Sequence, residues 1–273
     1  MALDALAAAP YARLLGACVE AASDETLRLR LGSDEAHANR NRTVHGGVTA
    51  SLVAIAGAAL ADPGGKGRTV DFSIRYVAAA RGDALVADAA LLGRRDGVAA
   101  VEVTIRAGDT VVAIGHVVRT GPEPAGPMCE PAPVAVALPA DLDTLVPSQS
   151  PFSARLGVRS VWRESGRVVA LLPFGADVAH PDGRLHEGAI ASVCDTAGGG
   201  ASWSVVGFDR ERRASTVGMR VSFHALPIGD DAVAEAHGVG HDDRLFQNLV
   251  TVRARTTGAL VATGWVTYRI VPV

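Results

Sequence analysis

Apolar and polar positions along this chain fall into two successive series of the same elements. Phe72, Ile74 and Tyr76 alternate with Asp71, Ser73 and Arg75, and Met219, Val221 and Phe223 alternate with Gly218, Arg220 and Ser222. A period of two predicts strands with one buried face. Segments 84–92, 99–107 and 110–119 continue the strand pattern, divided by the turn-forming runs 93–97 and Gly108-Asp109. Residues 48–60 differ: they are rich in alanine and apolar nearly all round, which predicts a helix buried on most sides, ended by Asp62-Pro63-Gly64-Gly65. The expected unit is an α+β fold, a long antiparallel sheet with one apolar helix to wrap.

That unit occurs twice. His45-Gly46-Gly47-Val48-Thr49-Ala50-Ser51-Leu52-Val53 aligns with His186-Glu187-Gly188-Ala189-Ile190-Ala191-Ser192-Val193-Cys194, an offset of 141. Farther on, Thr69 to Tyr76 matches Thr216 to Phe223 and Gly82-Asp83 matches Gly229-Asp230, both at an offset of 147. Two copies of one domain fused head to tail explain the shared order, at residues 1–121 and 151–273. Between them, residues 122–150 carry Pro122, Pro124, Pro127, Pro131, Pro133, Pro139 and Pro147. Proline removes a backbone donor at each position, so this stretch reads as an extended linker, long enough to let the copies pack with internal two-fold symmetry.

Length and composition agree with this division. The 273 residues suffice for two domains with their own cores. Lys+Arg 26 against Asp+Glu 29 gives a net charge of -3 with no basic block, so neither nucleic acid nor an anionic membrane is the expected partner. Cys18, Cys129 and Cys194 have no paired spacing, which argues against a disulfide framework and against a zinc site and suits a reduced, cytoplasmic protein. The longest apolar run, 48–61, is shorter than a membrane span. Trp162, Trp203 and Trp265 are expected to be packing residues, with Trp203 also placed to line a pocket.

A sheet wrapping a helix that opens on His-Gly-Gly resembles the hotdog fold, and within it the PaaI-like branch of acyl-CoA thioesterases. The resemblance covers both copies. The pattern of that branch is Asn, five residues, His-Gly-Gly, then an acid nine residues after the His. The first copy supplies Asn39, His45, Gly46 and Gly47 but has Ala54 at the acidic position. The second supplies Asp195 there but has His180 in place of Asn, followed by His186, Glu187 in place of the first Gly, and Gly188. In the family the two halves of a site come from different subunits. Carried over, Asn39 and Gly46 meet Asp195 in one complete site, while His180 and Glu187 meet Ala54 in a lapsed one.

The resemblance implies hydrolysis of an acyl-CoA to free acid and CoA. The Gly46 N–H, unpaired at a helix start, is the expected donor to the developing oxyanion. Asp195 is the expected general base or nucleophile. Asn39 is expected to orient water or thioester and Thr69 to assist the water; His45 joins the catalytic set through the motif, while the residue itself reads as structural, bonding loop backbone. Gly47 and Trp203 are expected against the substrate. Water is the only co-reactant, so no metal or redox cofactor is implied, and CoA enters as part of the substrate. Hotdog dimers often pair again, so a homodimer of two-domain chains is expected. Two other readings stay open: an acyl-CoA binder without turnover, and an enoyl-CoA hydratase or dehydratase using His180 with Asp195.

Overall fold

The computed structural model describes residues 9–121, 142–209 and 211–271. The first half runs α1 (Pro10–Leu15), β1 (Ala17–Ala22), β2 (Thr26–Gly32), α2 (Gly46–Ala61), β3 (Arg68–Tyr76), β4 (Ala84–Arg95), β5 (Val98–Ala107) and β6 (Thr110–Thr120). The second runs β7 (Val146–Pro147), α3 (Pro151–Arg155), β8 (Arg159–Glu164), β9 (Arg167–Leu172), α4 (Glu187–Val206), β10 (Arg213–Phe223), β11 (Ala232–His241), β12 (Leu245–Ala254) and β13 (Leu260–Val271). All strands join one antiparallel sheet in the order β1-β2-β4-β5-β6-β3-β10-β13-β12-β11-β9-β8-β7. Two hotdog units are thus continuous through the β3–β10 seam, where Phe72 pairs with Val221 and Ser73 with Arg220. Across it, Arg220 Nε lies 2.9 Å from Asp71 Oδ1.

Each helix packs on the strands of its own half, and the two helices pack on each other. Close approach to the sheet is made by glycine. A Cβ on Gly57 would lie 2.5 Å from Val117, and one on its repeat partner Gly198 would lie 2.7 Å from Val266. Between the helices, the Ser51 and Ser192 hydroxyls stand 3.2 Å apart, each donating to the carbonyl four residues earlier in its own helix. The Tyr11 hydroxyl is 2.7 Å from Ser51 Oγ and wholly buried. Ser51→Ala is therefore expected to cost about 1–3 kcal/mol, because it takes one partner from the buried Tyr11 hydroxyl; urea denaturation measures the loss.

Two expectations need correction. The hairpin placed at 93–97 is tighter: β4 and β5 pair out to Arg95 and Val98, leaving Asp96-Gly97 as the turn, both with positive φ (51° and 77°), the conformation a two-residue turn of this hand demands. The linker also ends earlier than residue 150. Most of it, 122–141, lies outside the described residues, as does Cys129, but Val146 and Pro147 pair with β8, and Leu145 is buried against Val169, Leu171 and Val233. Pro147 is compatible with a strand because β7 is the sheet edge. Among the described residues no helix is long and apolar enough to cross a membrane.

Candidate functional site

Helix α2 starts after a sharp entry, and His45 caps it: its Nδ1 accepts the Gly47 N–H at 2.9 Å. With that lone pair used, the ring proton resides on Nε2, which faces Ser153 Oγ at 3.4 Å. Burial lowers the His45 pKa, against the opposing pull of Asp195, so the ring is neutral. Gly46 is the first helical residue, and its N–H has no partner within the helix.

Asp195 arrives from the other half. It lies inside α4, 5% exposed, with its carboxylate pressed against Gly46: a Cβ at position 46 would sit 2.9 Å from Oδ2 and 3.4 Å from Oδ1. Glycine is needed at 46 because the acid occupies the space a side chain would take. Thr216 Oγ1 donates to Asp195 Oδ1, which fixes the carboxylate and leaves Oδ2 toward Gly46. Oδ2 is also 3.4 Å from His45 Nδ1.

Asn39, His45, Gly46, Asp195, Thr216 and Trp203 all line one cleft of about 1340 Å³. Asn39 spends its amide on its own loop: Oδ1 accepts the Asn41 and Thr43 N–H groups, and Nδ2 donates to Thr43 Oγ1. It shapes the cleft wall by holding this turn. Aromatic side chains gather farther along α4. Tyr268 packs at Gly199, the Trp162 indole reaches Gly200, and the Trp203 and Phe208 rings meet edge to face with centroids 5.2 Å apart. Arg40, Arg212, Arg244 and Arg269 also line the cleft.

Three sequence expectations change here. Thr69 does not approach Asp195; it receives a bond from Arg119 in the opposite site, and its repeat partner Thr216 serves Asp195 instead. The reason is geometric: each helix acid position faces the sheet of its own half but the helix start of the sister half. Gly47 does not face the cleft, because a Cβ there would meet Ser192 Oγ at 2.9 Å in the helix–helix contact. Trp162 and Trp265 are not core packing residues, being 43% and 45% exposed, whereas Trp203 is buried at the cleft. Cys194, beside Asp195, is a core thiol whose pKa burial pushes up to about 12.

The mirror position is filled by charge. Glu187, 2% exposed, binds Arg119 Nη1 through Oε1 at 3.2 Å and His180 Nε2 through Oε2 at 2.6 Å. Arg119 continues to Asp62 at 3.4 Å and to the Gly67 carbonyl at 2.7 Å. His186 caps α4 through the Gly188 N–H and lies against both the Tyr11 and His180 rings. Ala54 is buried and offers no polar group. His180, His186 and Glu187 bring donor atoms within 4.8 Å of one another, as a cation site would need, yet the Arg119 guanidinium already supplies positive charge at that carboxylate.

Comparison with known proteins agrees with the fold. Residues 41–114 match the model of the thioesterase superfamily. The chain is 38% identical over 118 residues to an esterase-named protein of Halobacterium salinarum, covering 37% of this chain and 78% of that one. Solved structures similar over the whole length include the TesB protein of Mycobacterium avium subs paratuberculosis, 13% identical with TM-score 0.70 and all of both chains covered. An acyl-CoA thioesterase II of Mycobacterium marinum is similar too, 11% identical with TM-score 0.70, over 96% of this chain and 98% of that one. A hot dog protein of Alicyclobacillus acidocaldarius is 17% identical with TM-score 0.70, over 100% of this chain and 99% of that one.

Proposed function

Because this chain belongs to the thioesterase superfamily, we propose that it hydrolyses an acyl-CoA thioester to the free acid and CoA, at one site shared by its two halves. The observation that carries this reading is the contact of the Asp195 carboxylate with the opening residue of α2. A thioester carbonyl laid at Gly46 N–H gains a donor where charge develops on attack, and the helix dipole has the right sign to help. Asp195 Oδ2 then serves as general base, taking a proton from water as its oxygen bonds to the carbonyl carbon; collapse of the intermediate expels the CoA thiolate, which recovers the proton. Direct attack by the carboxylate, followed by hydrolysis of the mixed anhydride, uses the same groups.

The rest of the cleft suits both ends of such a substrate. Trp203, Phe208 and Tyr268 offer apolar surface for an acyl group, and the arginines offer charge for CoA phosphates. The opposite position holds an ion-paired cluster around Glu187 in place of an open helix start, which supports one working site per chain. The hydratase reading loses its pair, since the His180 Nε2 is committed to Glu187.

A panel of acyl-CoAs assayed for free thiol tests the reading. At least one member is expected to release thiol and acid in equal amounts, and calorimetry with a non-hydrolysable thioether analogue is expected to give one site per chain. Binding without thiol release would identify a non-catalytic binder instead.

A further inference from the structure

We propose that Tyr76 is a positioning residue for this reaction, clamping the Gly46 peptide against Asp195 through its hydroxyl. The inference rests on the hydrolase reading above and adds a residue to it. Tyr76 ends β3, lies half-buried on the cleft, and donates from its hydroxyl to the Gly46 carbonyl at 2.9 Å. That carbonyl belongs to the Gly46–Gly47 peptide, whose N–H is held at 2.9 Å by His45 Nδ1. A peptide unit is planar, so bonds to its carbonyl and to its N–H fix it from both sides.

Such a clamp answers a specific difficulty. Asp195 leaves no room for a side chain at position 46, and glycine, the residue that fits, is also the one whose backbone is least restrained. A turn of the Gly46 backbone would swing its N–H away from the carbonyl oxygen of the substrate. The Tyr76 bond narrows that freedom by fixing the adjoining Gly46–Gly47 peptide, without using the Gly46 N–H.

The repeat separates this role from packing. Aligned through Thr69 and Thr216, the counterpart of Tyr76 is Phe223, which supplies the same ring, buried, with no hydroxyl. Phe223 belongs to the half whose helix start is Glu187 and whose opposite helix carries Ala54 in place of an acid. The hydroxyl is thus present only beside the helix start that faces a carboxylate. Burial, together with the nearby Asp195 charge, holds the Tyr76 phenol well above its ordinary pKa, so it remains a donor at neutral pH.

Tyr76→Phe, made in the full chain, tests the proposal, with the best acyl-CoA of the panel as substrate and its thioether analogue as binding probe. The clamp acts on a donor engaged most strongly in the transition state, so kcat is expected to fall about 10-fold while KM stays within about twofold. The Kd of the analogue and the melting temperature are expected to remain near the wild-type values. An unchanged kcat overturns the proposal. So does a fall in kcat matched by weaker analogue binding, or by loss of folded protein, either of which would assign the hydroxyl to binding or to stability. Wild-type protein that releases thiol beside an unaltered variant would sink the Tyr76 role alone, whereas wild-type protein that releases none would sink the hydrolase reading itself.

Discussion

Asp195→Asn is expected to lower kcat by about 10²–10⁴-fold with little change in the affinity for a non-hydrolysable acyl-CoA analogue. The substitution keeps the shape of the side chain. Thr216 can still donate to the amide oxygen as it does to Oδ1, and Gly46 still meets a group of the same size. What disappears is the basic, nucleophilic oxygen that faces the helix opening. Steady-state thiol release and calorimetry on the same preparation separate turnover from binding, and a variant with the wild-type rate would remove Asp195 from the mechanism.

Glu187→Ala is expected to destabilise the fold by about 3–5 kcal/mol, the range for breaking one partner out of a buried ion pair. Arg119, 3% exposed, would lose the carboxylate at 3.2 Å and keep Asp62 at 3.4 Å, which places the effect toward the lower end. Denaturant unfolding checks the figure; a loss below about 1 kcal/mol would show that the cluster contributes as little as a surface pair.

The same cluster sets the acid side of the stability profile. Burial lowers the His186 pKa to about 3, with the neighbouring His180 adding to the effect, so the folded protein holds this ring neutral. A histidine with a depressed folded pKa contributes stability that is complete above its unfolded value near 6.5 and is lost as pH falls from there toward 3. Glu187 is held well below its ordinary value: burial opposes this, but His180, by charge and hydrogen bond, and Arg119 outweigh it. Its contribution is present above the ordinary carboxylate range and is lost as pH drops toward its lowered folded pKa. Both signs agree, so stability is expected to decline steadily below about pH 6.5, and a profile flat from pH 7 to 4 would contradict the burial of His186 as a neutral ring.

Much of this molecule is legible in its sequence. Period-two segments such as Phe72-Ile74-Tyr76 became strands with one buried face, and the alanine-rich run became a helix covered on nearly every side, because side-chain periodicity and burial are local properties of the chain. The internal repeat then supplied the long-range information that a single domain would have lacked. Aligning His45 with His186 placed Asp195 nine residues past a helix cap, the resemblance to the hotdog thioesterases implied that it faces Gly46 of the other copy, and the structure brings those two groups together.

Other parts were invisible for a definite reason. Thr69 and Thr216 are the same residue in the repeat, and only the packing of α4 on its own sheet, combined with its crossing to the start of α2, decides that Thr216 meets the acid. Tyr76 and Arg119 carry no motif, since their partners, Gly46 for the one and Glu187, Asp62, Thr69 and Gly67 for the other, lie far away in the chain. Residues 145–147 sit in a proline-rich stretch, yet the sheet edge accepts a strand that needs few donors. The order of residues thus determined the two sheet-and-helix units and which chemical groups each possesses. Tertiary structure decided the contacts that no motif marks, such as Arg119 of one unit with Glu187 of the other, because pairing across a pseudo-two-fold contact depends on the distance between surfaces, and no local pattern encodes that distance.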